Sequence, residues 1–199
     1  MAESSSNLVV VNGQELDQLG QIPVAGKLLE KGLKMKHLLM RQHLFSLGGK
    51  FDITDDSENT RYTVSGSTFS IPKYFDILDL NSIPIARLTH QVFTFLPKFK
   101  LIINEFPEEV EIIKRFSFLK PRYEIEGLGL SVEGNIWDMN FAILQDGREI
   151  SSVDQRWLAM TSTYDIKIED ESLESVVVAV VVAIDYVKAQ SHNSSSASS

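Results

Sequence analysis

The chain contains no cysteine. That excludes disulfide frameworks, thiolate metal sites and thiol nucleophiles, and it fits a reducing compartment. Positive charge is also scarce: 19 Lys and Arg stand against 27 Asp and Glu in 199 residues, for a formal net charge of −8. Such a balance argues against a surface built throughout to grip nucleic acid, so no nucleic-acid partner is expected, although a local basic patch is compatible with it. Long apolar runs are missing too. Val176 to Ile184, nine residues, is free of polar groups, whereas a membrane-spanning helix needs about twenty. The Leu8–Val11 run is too short for the core of a secretory signal and has no positive charge before it. The expectation is a cytoplasmic protein, with or without peripheral contact to a membrane. An exported outer-membrane barrel is disfavoured, because Lys, Arg, Asp and Glu are scattered through the strands where a lipid-facing apolar band would be.

Signatures of catalysis are absent from the sequence as well. It has no Gly-x-Ser-x-Gly elbow, no phosphate-cradling glycine loop and no His-Glu-x-x-His pattern. His37, His43, His90 and His192 lack ligand-like spacing, so no metal, no cofactor and no enzymatic activity are expected. Gly127-x-Gly129 is half of a dinucleotide fingerprint with no helix pattern after it, and reads as a loop or a close strand approach.

What is present is a repeat. An aromatic residue, a few turn-like residues, and a second aromatic with an aliphatic two positions on occur six times: Phe45…Phe51-Asp-Ile53, Phe69…Phe75-Asp-Ile77, Phe93…Phe99-Lys-Leu101, Phe116…Tyr123-Glu-Ile125, Trp137…Phe141-Ala-Ile143 and Trp157…Tyr164-Asp-Ile166. The leading aromatics are 24, 24, 23, 21 and 20 residues apart. A period of that size marks a repeated supersecondary unit, here a strand, a tight turn and a second strand. Six hairpins make about twelve strands. Pro72, Pro97 and Pro121 fall in the turns, where a missing amide proton does no harm. Asp146-Gly147 is a strong hairpin turn between Phe141–Leu144 and Arg148–Ile150. The second strands alternate apolar with polar residues, as in Phe99, Leu101 and Ile103 against Lys98 and Lys100, so one face of each is dry. Core packing is the expected role of the repeated aromatics.

Leu173–Val187 is rich in β-branched residues, which favours a strand on propensity alone. Its length, the acids Glu169, Asp170, Glu171 and Glu174 before it, and Lys188 after it favour a helix instead. A helix apolar on every side must be buried on every side. Twelve strands can enclose one, since barrels of eight fill their interior with side chains and larger ones leave room. The predicted fold is therefore mainly β: a closed, antiparallel, about twelve-stranded barrel of six hairpin repeats around a hydrophobic C-terminal helix. An N-terminal extension over 1–36, flexible or partly helical, is expected to precede the barrel domain of 37–188, with its helix at about 173–188. A disordered Ser-rich tail over 189–199 should follow. Asp185 is read as reaching solvent at the barrel mouth or pairing with Lys188.

The run Met40-Arg-Gln-His-Leu-Phe-Ser46, residues 116–123 (Phe-Ser-Phe-Leu-Lys-Pro-Arg-Tyr), Gly134-Asn-Ile-Trp137 and the ending Val-Val-Val-Ala-Ile-Asp185 resemble the LURP-one-related family, its bacterial YxjI-like branch in particular. The resemblance spans residues 38–187 and implies the tubby C-terminal-like fold shared with phospholipid scramblases. It further implies a non-catalytic domain able to bind phospholipid head groups. The calcium-binding and cysteine-rich features of scramblases are missing from this chain, which argues against lipid flipping.

One charge cluster departs from the acidic average. Lys98, Lys100, Lys114, Arg115, Lys120 and Arg122 lie within 25 residues on hairpins expected to be neighbours, and form the candidate site for an anionic head group. Cross-strand pairing with Glu108, Glu109, Glu111, Glu124 and Glu126 is the competing role for these cations. Two partners are thus in view: an anionic phospholipid or membrane surface, and, if no lipid is bound, a protein partner for a soluble scaffold.

Overall fold

The computed structural model describes residues 9–11, 14–16, 35–41, 50–106, 108–115, 122–158 and 161–196. The chain divides into two units, residues 1–34 and 35–199. The first contains a small antiparallel hairpin, β1 (Val9–Val11) with β2 (Gln14–Leu16). The sequence predicts no strands there; of the short helix or loop it allows over residues 22–36, residues 22–34 lie outside the described residues and Lys36 already begins the first barrel strand.

The second unit is a closed barrel of twelve strands: β3 (Lys36–Arg41), β4 (Lys50–Thr54), β5 (Thr60–Gly66), β6 (Tyr74–Leu78), β7 (Pro84–His90), β8 (Lys98–Ile103), β9 (Val110–Arg115), β10 (Arg122–Glu126), β11 (Leu130–Asn135), β12 (Asn140–Gln145), β13 (Arg148–Leu158) and β14 (Thr161–Ile168). Each strand pairs antiparallel with the next in sequence, and β14 closes the ring on β3 with Tyr164 opposite Met40 and Ile166 opposite Leu38. Closure leaves no free sheet edge.

Alternation dictates what the wall presents inward. Phe75 and Ile77, Phe99 and Leu101, Ile112, Tyr123 and Ile125, and Tyr164 and Ile166 are buried, while Lys98, Lys100, Glu124 and Glu126 point the other way. The hairpin turn at Asp146-Gly147 has both residues at positive φ, 51° and 78°, as a type I′ turn requires. Other turns are closed by side chains. The Asp55 carboxylate accepts from the backbone N–H of Ser57 at 2.9 Å and of Asn59 at 3.0 Å, and Asp79 accepts from those of Asn81 and Ile83 at 2.8 Å each. The bonds from Asn59 hold the Asp55 carboxyl below its ordinary range.

Gly134, at φ 130°, sits where β11 meets β12, and a Cβ there would lie 2.7 Å from both Asn140 O and Phe141 Cα. Both neighbours are backbone in a paired strand and cannot turn aside. Gly134→Ala is therefore expected to cost about 2–3 kcal/mol of stability, read by chemical denaturation. Gly147→Ala, with open space around its Cβ position, carries only the cost of its positive φ.

After β14 a 3₁₀ turn, Glu171–Leu173, leads into helix α1 (Glu174–Ser196). Asp170 caps the turn, accepting from Ser172 N–H at 3.0 Å. Every residue from Val176 to Ile184 is at most 2% exposed, so the greasy run is enclosed on all sides. Burial of each Val or Ile contributes about 1.5–3 kcal/mol relative to leaving it in water.

Two sequence expectations about this helix need correction. Lys188 does not end it, and the residues after it, up to Ser196, continue it rather than forming a disordered tail. No Gly or Pro interrupts that stretch. Two of its polar side chains bond locally: Ser191 Oγ donates to Lys188 O at 2.7 Å, and Gln190 Nε2 donates to the Tyr186 hydroxyl at 2.5 Å.

A larger correction concerns the leading aromatics of the repeat. Phe69 and Phe93 are 96% and 103% exposed, and Trp137 is partly so, whereas the second aromatics Phe75, Phe99, Tyr123, Phe141 and Tyr164 are buried. Phe69, Phe93 and Trp137 fall in the connections between strands, where no pleat sends a side chain inward, whereas Trp157 lies within β13. Phe45 and Phe116 lie outside the described residues.

Candidate functional site

In an up-and-down barrel successive connections alternate between the two ends, and here the two ends differ in chemistry. At one rim lie the connections at 55–59, 79–83, 104–109, 127–129 and 146–147 and the run 169–173 into the helix. They carry three acidic residues, one, three, none, one and three, with no Lys or Arg among them. The connections at 67–73, 91–97 and 136–139 share the opposite rim, and their character is apolar. Phe69, Ile71, Phe93 and Phe95 are 96%, 86%, 103% and 94% exposed. Their loops are neighbours, since His90 N–H donates to Lys73 O at 2.8 Å and Gln91 N–H to Lys98 O at 2.8 Å. Sequence reading missed these residues as surface. The available signal was the Ser and Pro around them, as in Phe-Ser-Ile-Pro72 and Phe-Thr-Phe-Leu-Pro97, which belongs to loops rather than to alternating strands.

The candidate cations border this apolar rim. Lys98 and Arg122 begin β8 and β10, Lys114 and Arg115 end β9, and Lys100 lies two residues along β8. Register places Arg122 opposite Arg115 and Lys98 opposite Ile113, so the topology brings the cluster together on three adjacent strands. Lys120 lies outside the described residues. Carboxylates meet most of these cations: Lys98 Nζ is 2.8 Å from Glu111 Oε1, Lys100 Nζ 2.5 Å from Glu109 Oε1, Arg115 Nε 2.6 Å from Glu124 Oε2, and Arg122 3.8 Å from Glu133. Arg115 also meets Glu126. Accordingly the Lys98 ammonium holds the Glu111 carboxyl below its ordinary range, and Glu124 pushes the Arg115 guanidinium up.

Lys114 is the exception. It shares the inward set of Val110 and Ile112 but stands at the barrel mouth, 5.2 Å over the Trp137 ring, with no ion pair among the described residues. Lys73 is placed similarly. Its ammonium donates to Ser67 O and lies 5.5 Å over the Phe75 ring, and burial lowers its pKa.

Inside the mouth, the C-terminal half of α1 meets the wall. Tyr186 packs edge-on against Phe75, His90 and Phe99 at 5.2–6.2 Å. Asp185 accepts from the Tyr164 hydroxyl at 2.7 Å, and Lys188 donates to Gln155 Oε1 at 3.0 Å while the Asp185 carboxylate favours its charged form. Burial, then the facing Asp185 carboxylate, push the Tyr164 hydroxyl above the ordinary phenol range, and burial draws the Lys188 ammonium down. A second charged cluster lies on the outer wall. Asp165 is 1% exposed and meets both His37 and Arg156, and His37 turns its other ring nitrogen to Asp56. Among the described residues no group of His, Asp and Glu is arranged to hold a metal ion, and no helix is long and apolar enough to cross a membrane.

A meander barrel sheathing an apolar helix defines the architectural class. A solved structure of a protein from Arabidopsis thaliana shares the fold with a TM-score of 0.50, at 12% identity over 75% of this chain and 92% of that one. The family model of LURP-one-related proteins matches residues 36–185, and the chain belongs to that family. It is similar to the uncharacterized protein YxjI of Bacillus subtilis (strain 168), with 27% identity over 154 residues, 77% of this chain and 94% of that protein.

Proposed function

We propose that the protein is a non-catalytic binding module that recognises anionic phospholipid head groups and acts peripherally at a membrane surface. The observation that supports this reading best is the grouping of Lys98, Lys100, Arg115 and Arg122 on the outer face of three adjacent strands, next to Lys114 at the mouth. Their carboxylate partners are solvent-accessible. Exposed ion pairs contribute only about 0–1 kcal/mol, so a phosphate carrying more charge can displace a glutamate at little cost. The competing reading is a protein-interaction scaffold with no lipid ligand.

Sedimentation with liposomes containing anionic lipid tests the proposal. A cation near an anionic surface contributes about 1 kcal/mol, so each charge removed from the group is expected to weaken binding about five-fold at low salt. The triple variant Lys98→Glu, Lys100→Glu, Arg122→Glu should leave little binding. Glu109→Gln with Glu111→Gln should tighten it, because two cations lose their internal partners. Affinity that responds to neither change would defeat the proposal.

A further inference from the structure

We infer that the apolar rim inserts into the bilayer, with Phe69, Ile71, Phe93 and Phe95 as the penetrating tips. The barrel would then stand end-on, its acidic rim turned to the solvent. This rests on the phospholipid reading above and adds to it a depth, an orientation and a set of residues that the charge cluster does not contain.

The four side chains are close to full exposure. Folding thus leaves large apolar groups in water on two adjacent loops, and such a patch marks an interaction surface. Their shape selects the occupant. They project singly from loop tips instead of lining a groove, and a fluid acyl boundary accommodates separate protrusions without a matching pocket. Aromatic side chains and lysines suit the interfacial layer, where rings enter the acyl boundary and ammonium groups stay among the head groups.

Charge points the same way. Lys73 and Lys114 stand at this rim, Lys50 and Lys98 begin strands at it, and Asp138 is the acidic residue of its described connections. The far rim's connections are acidic with no Lys or Arg. An anionic surface attracts one end of the barrel and repels the other, which brings the tips to the membrane first.

The absence of cysteine supplies a direct test. A single probe site, Phe93→Cys, carrying an environment-sensitive fluorophore is mixed with vesicles of phosphatidylcholine and phosphatidylserine, and the same label is placed at Asp146→Cys on the far rim. A blue shift and quenching by brominated acyl chains are expected at position 93, with no change at 146. In parallel, Phe69→Ser, Phe93→Ser and Phe95→Ser are each expected to lower vesicle partitioning about ten-fold or more, and together to abolish it. Their thermal stability should stay at that of the parent, since the side chains make no core contact.

The two readings separate cleanly. If the serine variants bind as the parent does while the charge reversals on β8 and β10 abolish binding, insertion is overturned and head-group recognition stands. If the serine variants lose binding and the charge reversals change nothing at any salt concentration, insertion stands and the charge-based reading falls. No vesicle binding by the parent overturns both. So does self-association, or capture of one defined protein, that the serine variants abolish without any lipid dependence.

Discussion

Val180→Asp is expected to unfold the protein. Val180 is 0% exposed at the middle of α1, with wall on every side and no polar group in the helix from Val176 to Ile184. A carboxyl placed there either ionises without a partner or stays protonated with its pKa raised by about 3–5 units, a penalty of about 4–7 kcal/mol. The lost valine burial adds about 1.5–3 kcal/mol. Domains of this size are stable by only about 5–15 kcal/mol, so the folded state should be lost or nearly so, as read by circular dichroism and urea titration. Ile102→Asp is the comparison. Ile102 is a large apolar residue of the wall but 45% exposed on the outer face, and its replacement should cost no more than about 1 kcal/mol. A Val180→Asp protein that melts within a few degrees of the parent would mean the helix is not enclosed as described.

The second large effect concerns the buried carboxylate of Asp165. His37→Ala combined with Arg156→Ala removes both side chains that meet it and leaves a carboxylate that is 1% exposed without either partner. Stranding a buried charge costs about 3–5 kcal/mol. Asp165→Asn should cost far less, because the Arg156 side chain that loses its partner is 56% exposed, where water can serve it, and His37 keeps its contact with Asp56. Urea midpoints of the two proteins check this asymmetry. Equal losses would show that the cluster acts through packing rather than through charge.

The fold was legible to an unusual degree, for identifiable reasons. Inside a strand the pleat forces alternation, so Phe99 with Leu101 and Tyr123 with Ile125 announce which way they face. Nine consecutive apolar helix residues call for a fully enclosed position, and a barrel of more than eight strands, which the six hairpins imply, can supply one. The candidate site was legible only in part. The basic cluster was visible as a composition, but its glutamate partners depend on register. Lys98 lies opposite Ile113 and reaches Glu111, a neighbour that sequence distance cannot select. Arg122 ends near Glu133 on β11, outside the set Glu108, Glu109, Glu111, Glu124 and Glu126 that lies nearest the cluster in sequence.

Local order in the chain therefore decided the number of barrel strands, their facing and the identity of the central rod, because each follows from periodicity in the sequence. Whether a leading aromatic is core or tip, which acid quiets which base, and the separation of a greasy rim from an acidic one were decided only by tertiary structure. Those properties depend on where each strand stops and at which end of a closed ring its connection emerges. Such distances are set by closure and pairing across the whole domain, and no short window of sequence contains them.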